Sequence, residues 1–174
     1  MTKAEFESAV REHQAMVYSI ACNFFHNEAI AEEVAQEVFL QLYEGLRNVA
    51  SGPHCIAWLR RSTVHRCIDT ARRSSFRQEV HMDLLPEIPV NAPETDPLLQ
   101  ENLKRLIASL PEKPRAVMVL RFGEDMDADE IGKTLQMPVS TVWSHLQRAT
   151  AMIREKATRY LKEKEDEPIR TRSS

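Results

Sequence analysis

Asp127-Ala-Asp-Glu-Ile-Gly-Lys-Thr-Leu-Gln-Met-Pro-Val-Ser-Thr-Val-Trp-Ser-His-Leu-Gln-Arg-Ala149 is the stretch that decides the fold. Asp127 and Glu130 stand three apart ahead of Ile131, the spacing of a capping box, in which the first residue accepts from first-turn amides and the second reaches back. A short helix with Ile131 and Leu135 follows, Gln136-Met137-Pro138 forms a turn, and Ser140 is a good N-cap for a last helix running to about Lys164. At about 100° per residue, Val142, Leu146, Ala149 and Ile153 fall on one side and Thr141, Ser144, Gln147 and Arg148 on the other. The first side is oily, whereas the second offers hydroxyls, an amide and a guanidinium. Short helix, turn and longer helix are the order of a helix-turn-helix, and such groups suit base edges and phosphates. A solvated face on a helical hairpin has the same pattern, so discrimination rests on the rest of the chain.

Working back from this stretch, Leu110-Pro111 opens a helix whose Pro111 and Pro114 fall where the first turn has no N–H partners to lose, and which ends near Gly123. Before it, Leu99, Leu103, Leu106 and Leu110 form the core stripe of a helix from about Leu98 to Ser109. Met82 to Pro97 holds Pro86, Pro89, Pro93 and Pro97 among acidic and amide residues and cannot sustain a helix, so it reads as a linker. Further back, a helix from about Cys55 to Arg77 interleaves Arg60, Arg61, Arg66, Arg72, Arg73 and Arg77 with Trp58, Leu59, Val64 and Ile68. Its basic face, with Trp58, His65 and Phe76 beside it, could grip a nucleic-acid backbone and stack unpaired bases. Only Asp69 and Glu79 are near enough to neutralise it.

The first helix, Glu5 to Phe25, carries Phe6, Val10, Val17, Ile20, Ala21 and Phe24 at helical spacings. Asn27 caps a second, with Ile30, Val34, Val38 and Leu42 on one face and Gly45 as its stop. Phe39, Leu40 and Tyr43 widen its stripe beyond what one core face needs, so part of it buries against another molecule or under the third helix. The composition agrees with an all-α chain. Four glycines in 174 residues are too few for loop-rich β folds or phosphate-cradling nucleotide folds. Three cysteines, Cys22, Cys55 and Cys67, without C-x-x-C spacing suit a reducing compartment, and Cys22 with His26 makes only two of the four ligands of a structural zinc. No leader and no run approaching the ~18 apolar residues of a membrane span is visible, which points to the cytoplasm. Glu32, Glu33 and Glu37 lack a His-x-x-x-His, Gly-rich loop or nucleophile to complete an enzyme site, and no cofactor is expected.

Ala31-Glu-Glu-Val-Ala-Gln-Glu-Val-Phe39, Ala57-Trp-Leu59, Cys67-Ile-Asp69 and Arg72-Arg73 together resemble domain 2 of the extracytoplasmic-function sigma factors of bacterial RNA polymerase. Leu110-Pro111, Val119-Leu-Arg-Phe122, Glu130-Ile131, Pro138 and Ser140-Thr-Val-x-Ser-x-Leu-x-Arg-Ala149 resemble domain 4 of that family. The resemblance implies two small helical domains, a domain 2 bundle over 1–80 and a domain 4 helix-turn-helix over 98–164, joined by a flexible linker over 81–97 and followed by a polar tail over 165–174. It implies that Glu33, Gln36, Glu37 and Leu40 dock on core RNA polymerase at the clamp helices of the largest subunit, with the beta flap as a further polymerase contact. It further implies that Arg47, Asn48, Arg60, Arg61, His65, Arg66, Asp69, Arg72 and Arg73 hold the melted minus-ten element. Ser140, Thr141, Ser144, His145, Gln147 and Arg148 would read the minus-35 element, and an anti-sigma factor would restrain the protein. Positions where the family often has Lys or Arg carry Trp143, His145 and Thr150 here, which weakens phosphate anchoring; Trp143, near the edge of the apolar face, is expected to pack. A sigma-like decoy that binds an anti-sigma factor without DNA and a stand-alone helix-turn-helix regulator are the competing readings.

The net charge of −3 divides into blocks: 3 − 8 = −5 over 1–50, 6 − 2 = +4 over 51–80, 5 − 11 = −6 over 81–130 and 9 − 5 = +4 over 131–174. The positive blocks fall on the two elements proposed to touch DNA. Net acidity therefore predicts weak affinity for DNA alone, with the basic elements acting once polymerase has positioned them.

Overall fold

Thr2 starts the first helix with a reciprocal cap: its hydroxyl accepts from the Glu5 amide at 3.3 Å while its own amide donates to the Glu5 carboxylate at 2.6 Å. From there the computed structural model describes residues 2–45, 53–75 and 97–165. The helices are α1 (Lys3–Phe25), α2 (Glu28–Glu44), α3 (Pro53–Ser75), α4 (Pro97–Ala108), α5 (Glu112–Met118), α6 (Ala128–Leu135) and α7 (Val139–Glu165), with a π-helical turn at Val119–Gly123 after α5. The described residues hold no strand. Asn27 caps α2 through its side-chain oxygen, 3.1 Å from the Ile30 amide. The linker over 81–97 lies outside the described residues except for Pro97, and of the tail over 165–174 only Glu165 is described.

Helices α1, α2 and α3 pack mutually, and Val17, Ile20, Phe24, Val34, Val38, Leu42, Leu59 and Val64 close this core. Thr63 is buried among them and tolerated because its hydroxyl donates to the Leu59 carbonyl at 2.7 Å. The second set of helices packs α7 against α5 and α6, burying Val117, Leu120, Ile131, Val142 and Ala149. Of the Leu stripe expected on α4, Leu106 and Leu110 are buried but Leu103 is 46% exposed. Leu103 instead borders a hollow with Asn23, Ile107, Met118, Val119 and Phe122, where α4 and the π turn meet α1.

The two sets touch. The Arg115 guanidinium lies 4.7 Å over the Phe24 ring, and Arg115 Nη1 donates to the Phe24 carbonyl at 3.4 Å. Arg115 Nε also donates to the Leu110 carbonyl at 2.9 Å, so one arginine ties the start of α5 to the end of α1. Its burial lowers its pKa to about 10, and it remains the charged form that a π face attracts. Glu112 and Glu124 reach Arg72 and Arg60 of α3.

The scarcity of glycine has a visible consequence. His26 (φ 52°) and Gln136 (φ 53°) take the left-handed positions that close α1 and α6, where glycine is the usual occupant.

Candidate nucleic-acid interface

The helix-turn-helix is built locally. The Asp127 carboxylate accepts from the Glu130 amide at 2.8 Å and the Glu130 carboxylate from the Asp127 amide at 2.9 Å, as the capping-box spacing predicts. Gln136 ends α6, the Met137 amide returns to the Gly132 carbonyl at 3.0 Å, and α7 starts at Val139. Ser140 is therefore not the cap. The Pro138 carbonyl accepts from the Thr141 and Val142 amides, which places Ser140 inside the first turn. Gly132 is what lets the turn close: a Cβ there would sit 2.9 Å from the Met137 carbonyl oxygen. That oxygen is backbone and cannot swing aside. Gly132→Ala is expected to cost about 1–3 kcal/mol and to tilt α7, seen as a lower urea midpoint.

On α7, Val142 and Ala149 are fully buried, whereas Ser140, Ser144, Gln147 and Arg148 are exposed and Thr141 and His145 half-buried. The expected two-sided helix is thus observed, with one correction. Trp143 does not pack: it is 53% exposed, on the same side as Ser140, Ser144 and Gln147. Its position on the wheel, adjacent to both sides, left the choice to the neighbouring helices, and these close over Val142 and Leu146 instead.

The arginines of α3 are less free than its composition suggests. Arg66 Nε lies 3.1 Å from the Glu37 carboxylate of α2, joining a residue expected at DNA to one expected at polymerase. Arg72 Nε pairs with Glu112 at 3.2 Å, and Arg60 Nε lies 3.8 Å from Glu124. Arg61 is half-buried, and Asp69 and Arg73 are exposed. Arg47 and Asn48 lie outside the described residues. Burial raises the Glu124 pKa against the opposing pull of Arg60. The Glu112 carboxyl is held low, chiefly by its own backbone amide and then by Arg72.

On α2, Glu33, Gln36 and Leu40 are exposed, Leu40 at 57%. Leu40 and Tyr43 border an apolar groove of about 740 Å³ whose other wall is α1, through Phe6, Val10, Gln14 and Tyr18. Phe39 sits half-buried in the same groove, and the Phe6 and Tyr43 rings meet edge-on with centroids 5.3 Å apart. The α1 wall is not visible in a single apolar stripe that joins Phe6 and Val10 to Val17, Ile20 and Phe24. Its signal was there: Phe6, Val10, Gln14 and Tyr18 form a stripe at steps of four, offset from the one that is buried.

Two histidines sit among these groups with pKa values below the ordinary 6.5. Burial lowers His65, with Arg61 adding and Asp69 opposing; burial lowers His145, with Arg148 and Lys113 adding. A lowered histidine takes up its proton less readily folded than unfolded, so its contribution to stability is present above about pH 6.5 and is lost as pH falls through the folded value. The urea midpoint is expected to drop between about pH 7.5 and pH 5.5, and the drop should shrink in the His65→Gln, His145→Gln double variant.

Comparison with known families decides what this arrangement belongs to. Residues 9–77 match the family model "Sigma-70 region 2" and residues 100–153 match "Sigma-70, region 4", in that order, with the helix-turn-helix inside the second. The chain is 31% identical over 159 residues to the ECF RNA polymerase sigma factor SigE of Mycolicibacterium smegmatis, a match covering 86% of this chain and 60% of that one. It belongs to the extracytoplasmic-function sigma factors. SigW of Bacillus subtilis, another factor of this type, is 26% identical over 166 residues, covering 86% of this chain and 87% of its own. Thus the chain spans less than two thirds of the mycobacterial relative and most of the Bacillus one. Among solved structures, the sigma factor RpoE in complex with the anti-sigma factor NepR from Bartonella quintana superposes with a TM-score of 0.65 at 14% identity, over 90% of this chain and 96% of its own. CnrH in complex with the cytosolic domain of CnrY gives 0.60 at 19% identity, over 90% of both chains. These likenesses establish the all-α fold of the sigma factor.

Proposed function

We propose that this sigma factor binds core RNA polymerase, directs it to promoters by reading minus-35 and minus-ten elements, and assists melting of the DNA. The observation that carries the reading is the two-sided α7, whose buried side is sealed by α5 and α6 and whose exposed side presents Ser140, Ser144, Gln147 and Arg148. In this reading α7 enters the major groove at minus-35, and α3, together with Arg47 and Asn48, holds the melted minus-ten strand. Holding an unstacked base costs less once the duplex has opened, and arginine forks bind its phosphates. The groove between α1 and α2, with Leu40 and Tyr43 exposed at its edge and Gln36 in its lining, is the proposed seat for the polymerase clamp; Glu33 is exposed outside that lining, and Glu37 turns instead to Arg66 of α3. The groove's apolar floor and polar rim suit a separable interface. The proposed domains are residues 1–80 and 98–164, joined by a linker over 81–97.

RNA synthesis belongs to the polymerase, and no residue of this chain is assigned chemistry. No helix among the described residues is long and apolar enough to cross a membrane, and we place the protein in the cytoplasm with its polymerase. The two structural neighbours are complexes with anti-sigma factors, which supports a restraining partner of that kind here.

Run-off transcription with cognate core polymerase tests the reading. Specific initiation and a footprint over both elements are expected. Failure to form holoenzyme would overturn it and favour a decoy that binds only the anti-sigma factor.

A further inference from the structure

The side of α7 that faces solvent carries little charge. Among the ten residues from Val139 to Arg148, Arg148 is the one arginine or lysine, and the half-buried His145 has Arg148 and Lys113 as neighbours that disfavour its protonation. Between Ser140 and Gln147 that side holds a large apolar group instead, the 53%-exposed indole of Trp143. The buried side of α7 is already filled by Val142, Leu146 and Ala149, so the indole has no place in the core. Where a lysine would reach a phosphate whatever the sequence, an indole gains most against apolar surface. In the major groove that surface is the C5-methyl of thymine.

We propose that Trp143 is a specificity-determining residue that packs against a thymine C5-methyl in the minus-35 element, making this sigma factor require thymine at one position. The proposal rests on the reading that α7 binds minus-35 DNA. Geometry narrows the position. Trp143 and Gln147 lie one turn apart, about 6 Å along the helix axis, against a rise of about 3.4 Å per base pair. The thymine therefore lies within about two base pairs of the base read by Gln147.

The test uses holoenzyme and a promoter duplex selected from a random minus-35 library, in which each thymine is replaced in turn by deoxyuridine. This removes the methyl and leaves the hydrogen-bonding edge intact. One replacement, within two base pairs of the position at which Gln147→Ala loses its base preference, is expected to weaken binding about fourfold, the value of one buried methyl group. The same replacement should have no effect on Trp143→Ala holoenzyme, which should bind the parent duplex at least fourfold more weakly than the wild type. Trp143→Lys is expected to lose the thymine requirement while its binding becomes steeper in salt, by about one unit of slope per phosphate gained.

Equal deoxyuridine effects in wild type and Trp143→Ala would overturn the proposal. If Arg148→Ala and Gln147→Ala still weaken binding, the minus-35 reading of α7 stands without it. If neither weakens binding, both fall together. Because Trp143 is exposed, Trp143→Ala should keep the wild-type urea midpoint, so a loss of binding is not a loss of fold.

Discussion

Phe24→Ala is expected to cost about 3–5 kcal/mol, the usual range for emptying a buried phenylalanine site. Against a total stability of about 5–15 kcal/mol for a native domain, that removes much of the folded population. Phe24 is fully buried and meets Phe25 edge-on at 4.9 Å. It is also the ring beneath the Arg115 guanidinium. Truncation therefore opens a cavity in the α1–α3 core and strips a largely buried cation of its π face. Phe24→Leu separates the two effects, since it restores most of the volume and none of the quadrupole; it should recover most of the urea midpoint but leave about 0.5–2 kcal/mol missing. A cost below about 1 kcal/mol for the alanine variant would mean that the α1–α5 contact does not seal this site.

Arg72→Ala with Arg73→Ala is expected to lower open-complex formation at least tenfold, read by permanganate reactivity of the melted strand. Each side chain would lose a charge-assisted contact of about 1.5–3 kcal/mol. Arg72 has a competing partner in Glu112, but the pair is half open to solvent and worth about 0–1 kcal/mol. DNA phosphates should displace it. Glu112→Gln, which removes that partner and leaves both arginines in place, is expected to melt promoter DNA as well as the wild type or better. If Glu112→Gln instead reproduces the loss, the arginines matter through packing of α5 on α3, and the minus-ten assignment of Arg72 is wrong.

Both variants act where the second half of the chain meets the first, and that meeting was the part least legible beforehand. Arg60, Arg66 and Arg72 are recognisable as a basic face from α3 alone. Their partners Glu124, Glu37 and Glu112 stand 64, 29 and 40 positions away, and no local spacing announces such pairs. The groove shows the same division. Leu40 and Tyr43 stood out as surplus on α2, but the wall they share with Phe6, Val10 and Tyr18 exists only once α1 lies alongside. The π turn at Val119–Gly123 also left no trace in the periodicity. It sits where Gly123 meets α1, at a point where an added Cβ would come 3.2 Å from Nδ2 of the Asn23 side chain.

Residue spacing encodes whatever hydrogen-bonds or packs within about four residues along a helix. That covers the Asn27 cap, the Asp127–Glu130 box, the ends of α6 and α7 to within a residue or two, and the split of α7 into Val142, Leu146 and Ala149 on one side and Ser144, Gln147 and Arg148 on the other. Those interactions are short-range, so their residue spacing encodes them directly. Long-range packing sets the rest: Trp143 faces outward, Leu103 of α4 leaves the core, and three of the α3 arginines have carboxylate neighbours. Each of those depends on which other helix arrives and at what distance. Side-chain exposure and Coulomb energy are set by neighbours brought together through folding, which the local period of one helix does not contain.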